Sequence, residues 1–206
     1  VCSLLYKARG AGRAAAIDSL QAVMLRLLTS LPAGKVRLTI IDPVGLGENF
    51  AAFMHLADYD EALVAHRIWT DPRHIEQRLA DLSEHMENVI QKYLRNEFQT
   101  IEEYNAYAGE IAEPFRFLVI ANFPAGFTEA AARRLTSIAN SGARCGVFTL
   151  ISVDTKEALP QGFSLRDLEN RSTVLAWDDD HFVWKQSELG QFPLTLDAPP
   201  PPEQFT

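Results

Sequence analysis

Apolar positions along this chain follow two alternating rhythms: short β-branched or aromatic runs, and longer stretches at helical spacing. Residues 1–6 read as a short buried strand, and after a glycine-containing turn Ile17, Leu20, Met24, Leu27, Leu28 and Leu31 recur three and four residues apart. Pro32-Ala33-Gly34 stops that helix, and residues 36–41 follow as a strand that closes on Asp42-Pro43. Asp71-Pro72 sets an N-cap acceptor ahead of a proline at the first helical position. Ile75, Leu79, Leu82, Met86, Val89 and Tyr93 mark the apolar face of the helix that follows. Thr100 with Glu103 forms a capping box for a shorter helix through Tyr104 and Tyr107, halted by Pro114. Residues 115–121 are almost continuously apolar, as a strand covered on both faces requires. Thr128 caps an Ala-rich helix towards Gly142, residues 146–151 supply another apolar strand, and residues 173–177 and 181–185 flank Asp178-Asp179-Asp180 as a hairpin.

Strands alternating with helices predict an α/β fold. The expected architecture is three layers, a mostly parallel central sheet with right-handed crossovers and helices on both faces, closed by a C-terminal β-hairpin. With 206 residues, 47% hydrophobic and 22% charged, the chain is long enough for a sizeable core and has an ordinary globular composition. We assign residues 1–192 to the domain and residues 193–206, with Pro199-Pro200-Pro201-Pro202, to a stiff linker towards a further domain. The start at Val1 fits the same expectation of a piece of a longer protein.

A net charge of −8 argues against a stand-alone binder that grips nucleic acid by bulk charge. No apolar run approaches the roughly 18 to 20 residues that span a bilayer, so direct membrane insertion by this chain is not expected. Two cysteines far apart, Cys2 and Cys145, form no metal or redox motif and fit a reducing compartment, with the cytoplasm as the expected location.

Ligands of open α/β sheets bind beyond the carboxyl ends of the strands, where a glycine turn entering a helix offers backbone N–H groups to phosphate. Here that place is held by Gly10, Ala11, Gly12, Arg13 and Ala14. Against the phosphate-loop pattern G-x-x-x-x-G-K-[ST], only Gly12 is kept, with an extra Gly10. Lys7 stands for the first glycine, Arg13 for the lysine and Ala14 for the hydroxyl residue that ligates Mg²⁺. A planar guanidinium does not replace the compact ammonium conservatively, and alanine has no ligand atom. A plain strand-to-helix turn accounts for the same residues.

Several further segments, in order, resemble the motor domain of FtsK/SpoIIIE-type DNA translocases. They are Leu38-Thr39-Ile40-Ile41-Asp42-Pro43, His55-Leu56, His85-Met86, Lys92-Tyr93 and Ile101-Glu102-Glu103-Tyr104-Asn105. Ala121-Asn122-Phe123 stands where the family carries Asp-Glu-Phe, the Walker B element, and the family strand ending in Ala-Thr-Gln corresponds to residues 149–154. The resemblance spans roughly residues 1 to 160 and implies a P-loop NTPase (RecA-like) fold that in the family binds ATP and Mg²⁺. It also implies neighbouring ATPase domains in the same chain, ring-forming homo-oligomers, and DNA or, as in type VII secretion ATPases, secreted protein as cargo.

The chemical positions depart from the family. Ala14, Ala121 and Asn122 occupy the places of the Mg²⁺ hydroxyl and the two strand-end acids, and the sensor-like Gln falls at Val153 or Asp154. The expected function is therefore an inactive, structural or regulatory ATPase-like module with no catalytic residue, no metal site and no cofactor of its own. Two alternatives stay open: an active translocase that has moved its Mg²⁺ ligand to the cleft acid Asp42, with Arg13 on phosphate, and a Rossmann-like module for a small anion at Gly10–Arg13. Asp42 is better suited to capping the Gly45-Leu46-Gly47 turn than to facing the cleft.

Other clusters suggest less. Asp178–Asp180 with His181 suits a solvated turn better than a metal site, and His55, His66, His74 and His85 show no paired-ligand spacing. Arg133, Arg134 and Arg144 are candidates for an interface or DNA, with exposed helix charge as the simpler account. Trp69, Trp177 and Trp184 suit packing better than stacking on bases.

Overall fold

The computed structural model describes residues 2–64, 67–95, 97–186 and 188–201. His66 and the last residues of the expected linker therefore lie outside the described residues. Six strands, β1 (Ser3–Ala8), β2 (Val36–Ile41), β3 (Phe115–Phe123), β4 (Val147–Asp154), β5 (Ser172–Asp178) and β6 (His181–Trp184), form one sheet in the order β2-β3-β4-β1-β5-β6. All neighbours are parallel except the β5–β6 hairpin. The expected three-layer α/β architecture with a terminal hairpin is the one observed.

Five helices, α1 (Gly12–Ser30), α2 (Pro72–Lys92), α3 (Ile101–Ala108), α4 (Glu129–Ser141) and α5 (Leu165–Glu169), cover the sheet, and a 3₁₀ segment (Glu48–Asp58) follows β2. On one face Ile17, Leu20 and Met24 of α1 pack with Phe50 and Phe53 of the 3₁₀ segment over Leu38, Ile40, Phe117 and Val119. On the other, Ile75, Leu79, Leu82, Met86 and Val89 of α2 and Leu135 and Ile138 of α4 cover Ile41, Leu118, Ile120 and Ile151. Burial of each such side chain stabilises the fold by about 1.5–3 kcal/mol, so α2 alone contributes its amphipathic face as a major part of one half-core. Continuous burial along β4 follows from cover on both faces.

The helix starts obey the local rules. Asp71 Oδ1 accepts from the N–H of Arg73 at 2.9 Å, Thr100 Oγ1 from Glu103 at 3.3 Å, and Thr128 Oγ1 from Ala131 at 3.1 Å. Helix α1 differs: its N-cap is Ala11, with no side-chain bond and no acid in the first turn, and Ser164 at the start of α5 likewise makes no capping bond. It begins directly after β1, and the N–H groups of Gly12 and Arg13 are met by carbonyls of the turn rather than by a side-chain cap.

Residues 193–201 have no regular secondary structure and lie against the domain. Leu194 and Leu196 pack against the α1 side of the core, and Asp197 pairs with Arg26 at 2.5 Å. Among the described residues no helix is long and apolar enough to cross a membrane.

Candidate functional site

A cleft of about 460 Å³ opens at the carboxyl ends of β1, β2 and β3, lined by Gly10, Arg13, Ala14, Asp18, Gly45 and Asn122 among others. Strand β1 delivers the chain to the turn Arg9–Ala11, and α1 begins at Gly12, so only three residues join strand to helix. Gly10 has φ +52, a left-handed conformation that glycine adopts without strain. The N–H of Gly12 donates to Arg9 O at 2.9 Å and that of Arg13 to Gly10 O at 3.3 Å. The turn thus bonds to itself. Gly12 is also pressed against the hairpin: a Cβ there would lie 2.5 Å from Cγ and 2.8 Å from Cε3 of Trp177.

Arg13 leaves α1 towards the ends of β3 and β4. Its Nη1 lies 3.1 Å from Asp154 Oδ2, and its Nε donates to Asn122 Oδ1 at 3.3 Å. The Asp154 side chain is 6% exposed and that of Arg13 40%, so the pair has one end in the protein and one at the cleft. Asp154 Oδ1 also accepts from the Lys156 N–H at 3.0 Å, which fixes the carboxylate. Asn122 has φ +56, and its own N–H donates to the Ser152 hydroxyl at 2.8 Å. That left-handed turn at the end of β3 swings the amide towards Arg13, asparagine being one of the few side chains that tolerates it.

The remaining site positions fall around this pair. Ala14 is exposed on the cleft wall, whereas Ala121 is fully buried in the α1-side core and does not reach the cleft. Asp42 is also fully buried; its Oδ1 accepts from Gly45 N–H at 3.0 Å and from Asn49 Nδ2 at 3.2 Å. Its Oδ2 is buried without a hydrogen-bond partner. Beside the cleft, a second hollow of about 530 Å³ shares Asp18, Gln21 and Asn49 with it and is bounded by Ala198–Pro201. Gly10–Ala14 and Asn122, grouped from the sequence, lie around one cleft, together with Asn49 and next to Trp177 and Asp154, which the sequence gave only as packing and sensor positions or not at all. Nothing local to those residues signals the contact, which the strand order creates.

The outlying candidates lie elsewhere. Asp180 Oδ1 and His181 Nδ1 are 2.7 Å apart at the hairpin turn. Arg133 pairs with Glu129 at 3.8 Å, Arg134 is exposed, and Arg144 Nε donates to Gln99 O at 2.7 Å. Trp69 lies between the guanidinium groups of Arg67 and Arg78, whose Cζ atoms are 4.4 and 4.6 Å from its ring. Among the described residues no group of three or more His, Cys, Asp or Glu is arranged to hold a metal ion.

The sheet order also decides between two fold readings. In the Rossmann order β1 lies between β2 and β4, whereas here it lies between β4 and β5, so the Rossmann-like alternative is set aside.

Comparison with solved structures agrees. A conjugation coupling protein, TcpA of pCW3, in its monomer form with ATPγS, superposes with a TM-score of 0.63 at 15% identity, covering 84% of this chain and 48% of that one. EssC (ATPases 2 and 3) from Geobacillus thermodenitrificans gives a TM-score of 0.59 at 15% identity, over 97% of this chain and 36% of that one. Thermomonospora curvata EccC (ATPases 2 and 3), in complex with a signal sequence peptide, gives 0.60 at 17% identity, over 84% and 30%. The chain spans less than half the length of each. No curated protein matches by sequence. The family model for FtsK/SpoIIIE matches residues 8–167, most of the chain, and with the P-loop ATPase fold described above this chain belongs to the FtsK/SpoIIIE family.

Proposed function

We propose that this domain is a catalytically inactive member of its ATPase family, a structural or regulatory neighbour to working ATPase domains of the same protein. The observation that carries the reading is the commitment of Arg13 to Asp154 and Asn122. A phosphate-loop lysine works by reaching the β- and γ-phosphates as a free cation, and the guanidinium at that position is instead held by a neighbouring strand end.

The rest of the cleft supports the same reading. Mg²⁺ takes hard oxygen ligands, and Ala14 and Ala121 have none. The amide oxygen of Asn122 already accepts from Arg13. These side chains do not fit a magnesium nucleotide. A three-residue turn that bonds to itself also leaves little backbone with which to cradle phosphates. Phosphoryl transfer depends on positioning and electrostatics, so losing both the metal ligands and the water-orienting acid removes the main source of rate.

The similar EssC and EccC structures carry more than one ATPase, which supports a role beside other ATPase domains. Homo-oligomeric rings are the proposed assembly. Cargo, whether DNA or secreted protein, is then handled by the whole protein, and the cytoplasm is its expected location. Calorimetric titration with ATP and Mg²⁺ tests the reading. No heat of binding at micromolar nucleotide and no phosphate release are expected; micromolar binding with turnover overturns it.

A second reading, a working ATPase with a re-sited metal ligand, draws on the buried Asp42 Oδ2 that lacks a partner. It requires hydrolysis that disappears in Asp42→Ala.

A further inference from the structure

Helix α1 packs over β1, β3 and β4, and the β5–β6 hairpin flanks it at the edge of the sheet. On that face a pocket of about 370 Å³ opens between α1, the hairpin and residues 189–197. It shares no lining residue with the cleft. Its walls are mainly aliphatic, from Leu4, Val23, Leu175, Leu189, Leu194 and Leu196. Arg26 and Asp197 are the charged residues that line it, and they pair with each other at 2.5 Å.

Three polar groups interrupt the apolar wall. Tyr6 and Ser19 are 1% and 4% exposed, and their hydroxyls share one hydrogen bond at 2.8 Å. One bond between two hydroxyls uses one of their two hydrogens, and the other has no acceptor among the described residues. Burial raises the Tyr6 pKa above its ordinary value, against an opposing pull from the Ser19 bond, so the phenol stays protonated and able to donate. Its ring is held edge-on against Phe182, with centroids 5.5 Å apart. Trp184 lines the same pocket, and its Nε1 is buried without a hydrogen-bond partner, although a buried indole N–H ordinarily finds one. Spare hydrogens thus meet at one apolar hollow, and what they lack is an acceptor. A single water, about 30 Å³ of liquid volume, accepts from such groups but leaves most of the aliphatic wall facing unfilled space.

We propose that this pocket binds a small neutral organic molecule, an apolar body bearing a carbonyl or ether oxygen that accepts from Trp184 Nε1 and from the Tyr6–Ser19 hydroxyl pair. Apolar walls with a few placed polar groups are the ordinary make-up of small-ligand sites. With Arg26 and Asp197 neutralising each other, the wall has nothing to balance an ionised ligand, which sets the class as uncharged.

Acetophenone and ethylbenzene, similar in shape and differing in the ketone oxygen, test the proposal. Each is titrated into the 206-residue chain and followed by the tryptophan indole N–H signals in NMR. Trp184→Phe identifies the Trp184 signal among the three. Saturable acetophenone binding is expected, with that signal moving downfield as the indole acquires an acceptor. Ethylbenzene should bind about tenfold more weakly, the effect of the lost hydrogen bonds. Tyr6→Phe should narrow that difference. Val23→Phe, at a half-buried position on the pocket wall, should weaken both ligands by filling the space. No saturable binding of acetophenone, equal affinity for the two ligands, or binding that Val23→Phe leaves unchanged overturns the site.

Discussion

Arg13 Nη1 and Asp154 Oδ2 lie 3.1 Å apart across the cleft, joining the first turn of α1 to the end of β4. In the proposed reading the arginine stands for a phosphate-loop lysine and the aspartate is one of two candidates, with Val153, for a strand-end sensor position, so the pair ties together two groups that reading would set facing nucleotide. Asp154 is nearly buried, and its charge is balanced by this guanidinium and one backbone N–H.

Removing Arg13 alone leaves a buried carboxylate short of its partner. Arg13→Ala should destabilise the chain by about 1–3 kcal/mol, the cost of an unsatisfied buried charge moderated by the solvent that reaches the arginine. Asp154→Asn in the Arg13→Ala background should recover part of that loss. Urea unfolding of the two singles and the double measures the coupling, and additive effects would show that the pair contributes nothing.

Gly12 and Trp177 make a second, steric pair. Trp177 rests edge-on against Phe182, with centroids 5.1 Å apart, and covers the face of Gly12. Gly12→Ala should cost about 1–3 kcal/mol by overpacking, despite the better helix propensity of alanine. In a Trp177→Ala background the same change should cost less, because the atoms the new Cβ would meet are gone. A shift of tryptophan fluorescence in Gly12→Ala would report the displaced ring.

What the sequence made legible was whatever is decided within a few residues. Asp71-Pro72, Thr100 with Glu103 and Thr128 announced three helix starts because an N-cap bond spans only two or three residues. The apolar run before Ala121 announced a central strand, since cover on both faces leaves no polar alternation. The 3₁₀ segment Glu48–Asp58 was not foreseen, because its two buried anchors, Phe50 and Phe53, are too few to set a period. The cleft was half legible. The loop residues appear in a row, but the partners of Arg13 arrive from β3 and β4 and the cover of Gly12 from β5, and only the strand order brings them there. At the C-terminal end the prolines suggest a spacer, and Leu194 and Leu196 just before them pack against the α1 side of the core, a contact that no local pattern announces.

Asp42 separates an inactive domain from one with a relocated metal ligand. Its Oδ1 holds the Gly45 N–H and the Asn49 side chain from full burial. Asp42→Ala strips both donors of their acceptor and should cost about 2–3 kcal/mol, whereas Asp42→Asn keeps an acceptor oxygen and should cost less. Neither should alter phosphate release from ATP, because none is expected from the parent chain. A baseline hydrolysis that falls in both variants would favour the metal-ligand reading.

His85 should make stability depend on pH in mildly acid solution. Its folded pKa is lowered to about 4 by burial and by Arg116 and Arg37, against an unfolded value of 6.5. Between these values the unfolded chain binds a proton that the folded chain refuses, so stability is fully present above the unfolded pKa and falls as pH drops towards the folded one. The imidazole is only part-buried, so solvent screening limits the loss to about 1–2 kcal/mol. Comparison of urea midpoints at the two ends of that window, for the parent and for His85→Gln, isolates the contribution. The parent should lose more stability than the variant on acidification, and parallel losses would show that the imidazole is not held neutral by its surroundings.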